Sequence, residues 1–373
     1  MEGDDVDTCW TFYAFAEVPA SVWARWNALN RAGFDSPLLD AGFIRTAWEH
    51  FGQGRERLAV AQHLGRDVAM VLLDFSHSTR PCAFIPSQLP LCPWVQVAGA
   101  CFVALLDSLQ QQLHSPRLLT SLSCLDPRLI PVPEADWLRR VAHITTGAID
   151  LPENFAAYLE TRPHHAVANA TRRIRKAAQS FGPVRLEVLR RPDDVTAAIQ
   201  AYAALESQSW KAQQGTALTP GDAQCSFYTH ALRQFCTAGR GRIYMLYFGE
   251  QLAAMELAVL QGSTIYMIKT TYARELRACS PGILLKWFLL QSLYGETHPV
   301  RRLEYYGPLN ESQLPWVTET RQLYHLNAYK HPLLASFHAC LQRIRHPQAK
   351  GKSSEPEAPR GGRAGSIPAT ALP

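Results

Sequence analysis

Six residues, Arg277-Ala278-Cys279-Ser280-Pro281-Gly282, stand between a β-capable run and an apolar run with helical spacing at Leu284, Trp287, Phe288 and Leu290. Serine is favoured just before a helix, and a proline after it already has a helical φ. The spacing predicts a helix that begins abruptly, with its first backbone N–H groups aimed into the loop. That arrangement suits an anion. The same residues also read as an ordinary helix cap with a glycine in the first turn. Glu256 lies in the middle of the apolar run 252–260. A lone carboxylate is costly to bury there unless it is paired or faces a cleft; the other reading is the solvent side of an alternating strand. Asn169 precedes four cations, Arg172, Arg173, Arg175 and Lys176. They span about one helical turn, so they cannot all share one face, and such a run is either a solvated face or a contact for an anionic partner. Glu206, Ser209, Trp210 and Lys211 form a further block, in which Trp210 fits the core or a pocket wall.

The elements that must position these residues follow from periodicity and punctuation. Residues 8–15, 58–64, 68–75, 118–125 and 143–149 read as strands in the first part of the chain, with a hairpin turn at Gly65-Arg66-Asp67. Residues 21–30, 38–51 and 99–113 read as helices, the second capped by Ser36, and 137–141 as the end of a short helix. In the second part, helices are expected at 154–161, 166–181, 192–210, 227–238 and from Ser280 onward. Strands are expected at 184–189, 243–248, 252–260, 264–269, 300–306 and 323–329, and a terminal helix at 333–344. Residues 272–279 read as a polar loop. The alternation predicts an α/β chain with mixed sheets flanked by helices. A boundary is expected at 149/150. From Gln348 the chain is rich in Pro, Gly, Ser and charge, and 347–373 reads as a disordered tail.

At 373 residues with 47% apolar side chains, the chain is long enough for two cores. The net charge of +5 permits an anionic ligand without demanding nucleic acid. Nine scattered cysteines with no Cys-x-x-Cys pair argue against a disulfide framework and a zinc site and fit a reducing cytosol. None of the thirteen histidines sits in a His-Glu-x-x-His arrangement, and the adjacent His164 and His165 would face differently on a helix, so no metal is expected. The acidic start (Glu2, Asp4, Asp5, Asp7) is unlike a signal peptide, and no apolar run reaches membrane-spanning length.

The loop resembles the Arg/Gln-x-x-Gly-x-Gly/Ala pyrophosphate loop of the GNAT superfamily of N-acyltransferases, with Ser280 where that pattern has its first glycine. More closely, IYMIKTTY followed by SPGILL resembles the CelD-like, or cellulose-biosynthesis, acetyltransferases, relatives of the Fem-type aminoacyltransferases. ATRRIRKAAQSFG and LESQSWKAQQGTAL supply the upstream part of the same signature, in order. The likeness covers roughly residues 151–330. It implies tandem GNAT-like halves, a degenerate one at 1–149 and a catalytic one at 150–346. Acetyl-CoA or another acyl-CoA would be the co-substrate, and an amine, on a sugar or a cell-surface polysaccharide precursor, the acceptor. A Fem-like aminoacyl-tRNA donor and an inactive binding module are the other readings; DNA is not implied.

The resemblance also gives roles. Arg277, Ser280 and Gly282 would cradle the cofactor phosphates. Glu256 would be the general base, with Glu206 the second candidate. Lys269 and Tyr272 match the family's Lys-x-x-Tyr, and Lys269 would orient an acidic substrate or pair with Glu256. Ala273 stands where the family usually has Asp. Asn169, Arg172, Arg173, Trp210 and Lys211 would contact substrate.

Overall fold

Burying the alternating strands on both sides requires helices above and below one sheet. In the computed structural model, which describes residues 8–114, 117–207 and 221–337, that is how the chain is built. The first half runs β1 (Cys9–Tyr13), α1 (Ala20–Gly33), α2 (Ala41–Phe51), β2 (Glu56–His63), β3 (Arg66–Asp74), β4 (Cys82–Ala83), β5 (Trp94–Gln96), α3 (Phe102–Gln112), β6 (Leu119–Leu125) and β7 (Leu138–Asp150). Two helices follow, α4 (Phe155–Glu160) and α5 (His164–Phe181). The second half runs β8 (Val184–Leu189), α6 (Val195–Ser207), α7 (Ala223–Thr237), β9 (Gly241–Phe248), β10 (Gln251–Gln261), β11 (Thr264–Tyr272), α8 (Pro281–Leu293), β12 (Arg302–Tyr305) and β13 (Glu319–Tyr329).

With the short β5 set aside, the two halves share one order among the described residues: strand, two helices, three strands, helix, two strands. All the described strands form one mixed sheet, ordered β1-β2-β3-β4-β6-β13-β7-β12-β11-β10-β9-β8, with β5 on β3. The last strands change places. β13 lies against β6 of the first half, and β7 lies against β12 of the second. The seam carries a buried charge network. Arg321 meets Asp126 at 2.9 Å and Glu304 at 2.8 Å, and Arg128 and Arg302 reach Glu304 at 2.6 and 2.5 Å. Such a network specifies one pairing because a slipped register would leave its charges buried and unpaired. The helices α2 and α7 hold equivalent places in the two halves and pack on each other, Phe43 and Phe51 against Phe227 with ring centroids 5.3 and 5.4 Å apart.

Several expected elements are corrected. Residues 137–141 form no helix end; Leu138 already begins β7, which carries the β-branched Val141, Ile144, Thr145 and Thr146. The helix expected over 38–51 is a short turn at Pro37–Leu39 followed by α2, and its cap is Asp40, which accepts from the Gly42 N–H at 2.9 Å, instead of Ser36. β11 outlasts its expected end at Lys269 by three residues. The expected loop 272–279 is mostly a 3-10 helix, Arg274–Cys279. The expected tail, the end of helix 192–210 and most of helix 333–344 lie outside the described residues.

Candidate active site

The loop between β11 and α8 is shaped by one unusual residue. Ser280 has φ 52° and ψ 60°, the left-handed region. Only glycine enters that region without steric cost, so a serine there is strained by about 1–2 kcal/mol. The expected hydroxyl cap does not form: no side-chain bond from Ser280 reaches the first turn, and the helix is started by its carbonyl, which accepts from Ile283 and Leu284 at 3.0 and 3.2 Å. Ser280→Gly is therefore expected to raise stability by about 0.5–1 kcal/mol in urea unfolding, net of the extra freedom glycine gives the unfolded chain. No gain would mean that the loop relaxes the strain elsewhere.

Gly282 follows in the first turn of α8. A Cβ added there would meet only the Tyr272 ring, at 4.0 Å. Neither packing nor a left-handed φ requires a glycine here, so its bare face is open to a ligand. Arg277 is exposed on the preceding 3-10 turn, and among the described residues its guanidinium has no hydrogen bond or ion pair. The helix α5 packs beside both this turn and α8, bringing the basic block to the loop. Its buried stripe is Ala166, Ala170 and Ala177. Asn169 and Arg173 border that stripe and are half-buried, whereas Arg172, Arg175 and Lys176 are exposed. Arg172 donates to Asn169 Oδ1 at 3.0 Å.

The sheet opens beside the loop. β11 and β12 run parallel and pair only over Thr264–Met267 and Arg302–Tyr305. β11 continues to Tyr272, so on the β12 side its edge over 268–272 carries no strand partner among the described residues. An extended, amide-bearing ligand can add to such an edge.

A bulge in β11 sorts the titratable groups onto two faces. Leu257 stands opposite Lys269 and Ala258 opposite Met267, which leaves Ile268 as an extra residue. Lys269 therefore leaves the sheet on the face of Leu257, away from Glu256. On that face its ammonium meets Glu206 at 3.4 Å and stands about 6 Å from the rings of Tyr202 (6.0 Å) and Tyr228 (5.8 Å). The expected Lys269–Glu256 alternative is thus replaced by a pair with Glu206, a carboxylate that is 0% exposed. Burial and the Glu206 charge push the Tyr228 phenol above its ordinary range. Residues 208–220 lie outside the described residues, and Trp210 and Lys211 with them.

Glu256 faces the side of α8. It stands opposite Tyr244 and Thr270 and is 8% exposed. Its neighbour in charge is Lys286 of α8, which sequence reasoning missed. Burial lowers the Lys286 ammonium to about 7, against the pull of Glu256. The same ammonium stands 5.1 Å from the ring centroid of Tyr305, the last residue of β12, whose phenol is raised well above its ordinary range by burial and Glu256. The signal was a single cation in the otherwise apolar helix PGILLKWFLLQSL. The site thus brings together a helix start with an open glycine face beside guanidinium groups, an open strand edge and, near the end of β12, a buried carboxylate and a lysine whose ammonium burial lowers to about 7. Among the described residues no group of three His, Cys, Asp or Glu side chains is placed to hold a metal, and no helix is long and apolar enough to cross a membrane.

Residues 165–311 match the family model described as an acetyltransferase (GNAT) domain. That span includes α5, the loop, β11 and β12. Among curated proteins none matches the chain by sequence. Among solved structures, the C-terminal domain of a putative lysylphosphatidylglycerol synthetase from Agrobacterium fabrum is similar over 87% of this chain and 96% of its own, with 10% identity and a TM-score of 0.52. FemX is similar over 84% of this chain and 98% of its own, with 11% identity and a TM-score of 0.52. A Bacteroides thetaiotaomicron protein of unknown function is similar over 82% and 97%, with 10% identity and the same TM-score. At these identities the likeness is one of fold. The domain match together with the mixed sheet and flanking helices supports a GNAT-type N-acyltransferase.

Proposed function

We propose that this N-acyltransferase moves an acyl group, acetyl in the simplest case, from a coenzyme A thioester to an amine. The observation that carries the reading is the loop. Gly282 has a bare face that the fold itself does not require, beside an exposed Arg277 and the half-buried Arg173 of α5. Guanidinium groups and a helix N-terminus are the physical recognition of a pyrophosphate. The pantetheine arm, which carries two amides, fits the open edge of β11 over 268–272. The thioester then lies near the end of β12, beside Glu256 and Lys286. The CelD-like signature points to a sugar or polysaccharide-precursor amine as acceptor, and the Glu206–Lys269 pair would position it from the opposite face. The second half is the catalytic unit in this reading.

The amine nitrogen attacks the thioester carbonyl, the C–S bond breaks, and coenzyme A leaves as its thiol. Glu256 takes the proton lost by the amine, and the Glu256–Lys286 pair returns it to the departing sulfur. Glu256 can hand that proton on only to a neutral Lys286, so the rate should rise with pH through about 7 and level off above. Thiol release, followed with acetyl-CoA over a panel of amines and amino sugars, checks both points. In Lys286→Met the limb near 7 should vanish along with most of the rate. A limb kept unchanged in that variant assigns the titration to another group. Absence of turnover over the whole panel, with acetyl-CoA bound, would favour a binding module.

A further inference from the structure

The first half holds a cavity of about 730 Å3, formed by β1, the start of β2, the end of β3 and the end of α3, remote in sequence from the loop. Its floor is aromatic and held in place. Trp10 donates from its ring to Ser108 Oγ at 2.9 Å and from its backbone to Gln112 Oε1 at 2.7 Å. Phe12 meets Phe75 edge-on with centroids 6.2 Å apart. The rim is cationic, with Arg55, Arg57 and Arg117. The Arg117 guanidinium stands 4.9 Å from the Phe75 ring centroid, and Arg57 donates only to the carbonyls of Gly54 and Glu56, at 3.1 and 2.7 Å. Among the described residues none of the three has a carboxylate partner within salt-bridge distance. The C-terminal end of α3 also faces the cavity, and a helix end carries roughly half a negative charge. Lys330 offsets that end by donating to the Leu113 carbonyl at 2.9 Å, so the field of the three guanidiniums prevails.

We propose that this cavity is a second binding site, for a small anion that carries a flat ring. The ring lies on Trp10, Phe12 and Phe75, and a phosphate or carboxylate sits among Arg55, Arg57 and Arg117. Aromatic faces and guanidinium forks recognise those two parts separately, and the volume is that of a small-molecule site. Neither part alone fills both the floor and the rim.

The test is calorimetric titration of the full chain with four probes: AMP (ring and phosphate), benzoate (ring and carboxylate), adenosine (ring alone) and inorganic phosphate (anion alone). AMP or benzoate should bind at least about tenfold more tightly than adenosine and phosphate, and the tighter of the two identifies the anion. The double variant Arg55→Gln/Arg117→Gln should lose at least about tenfold with a melting temperature little changed, the Arg117–Phe75 ring contact being the packing contact it removes. Arg277→Ala should bind as the unaltered chain does. The proposal is overturned if neither ring-bearing anion exceeds its separate parts, if the double variant binds normally, or if Arg277→Ala abolishes binding. The last outcome would place AMP in the cradle of α8 instead, so the result is separable from the acyltransferase reading.

Discussion

Glu256→Gln is expected to lower kcat for acyl transfer by about 10²–10⁴-fold, the range for loss of a general base. Glutamine has nearly the same shape, so the 8%-exposed position opposite Tyr244 and Thr270 keeps its packing. What disappears is the negative charge beside Lys286 and Tyr305. KM for acetyl-CoA should change little, because the cradle lies at the other end of the thioester arm. A second consequence has a definite sign. Glu256 pulls the Lys286 ammonium upward against burial, so its removal should shift the alkaline-rising limb of any residual activity to lower pH. A rate within threefold of the unaltered enzyme at every pH would remove Glu256 from the mechanism. Glu206, buried on the opposite face and paired with Lys269 at 3.4 Å, would then take its place.

Gly282→Ala should weaken acetyl-CoA binding by about 10- to 100-fold while leaving the fold intact, which corresponds to about 1.4–2.8 kcal/mol of binding. The separation of the two effects follows from geometry. The new methyl would touch only the Tyr272 ring, at an ordinary 4.0 Å. Alanine in a helix is favoured over glycine by about 1 kcal/mol, less in the first turn, so the melting temperature should hold or rise. A ligand whose phosphates approach the bare backbone, in contrast, meets the methyl directly. Calorimetry with acetyl-CoA beside a thermal melt measures both. Unchanged affinity would show that the ligand does not approach Gly282.

Much of the second half was legible in the sequence because its signals are local. The hairpin turns at Gly249-Glu250 and Gly262-Ser263, the apolar α8 and the Ser-Pro-Gly start of that helix each depend on a few adjacent residues. The site was legible where it is local too: Arg277 and Gly282 stand together on the loop. Long-range features were not. The exchange of β7 and β13 depends on which strands meet across the seam, where Asp126, Glu304 and Arg321 come from segments far apart in the chain. Lys269 looked available to Glu256 because simple alternation ignores a bulge; the extra Ile268 turns Lys269 to the face of Glu206. The serine at 280 looked like a hydroxyl cap because Ser-Pro favours one, yet the backbone there is left-handed. That also gives a physical reason for the glycine of the related pattern. Lys286 was missed because one cation on an apolar helix is a weak signal; its burial near the Tyr305 ring and the charge of Glu256 emerges only in the fold.

The most direct measurement is a thermal-shift titration of the full chain with acetyl-CoA and CoA, alongside Arg277→Ala. A ligand at a hundredfold its Kd stabilises by about 2.7 kcal/mol. The predicted result is a saturating upward shift with both ligands that Arg277→Ala, itself normally folded, loses or markedly weakens. A shift of equal size and midpoint in Arg277→Ala, or none with either ligand from well-folded protein, would contradict coenzyme A binding at the start of α8.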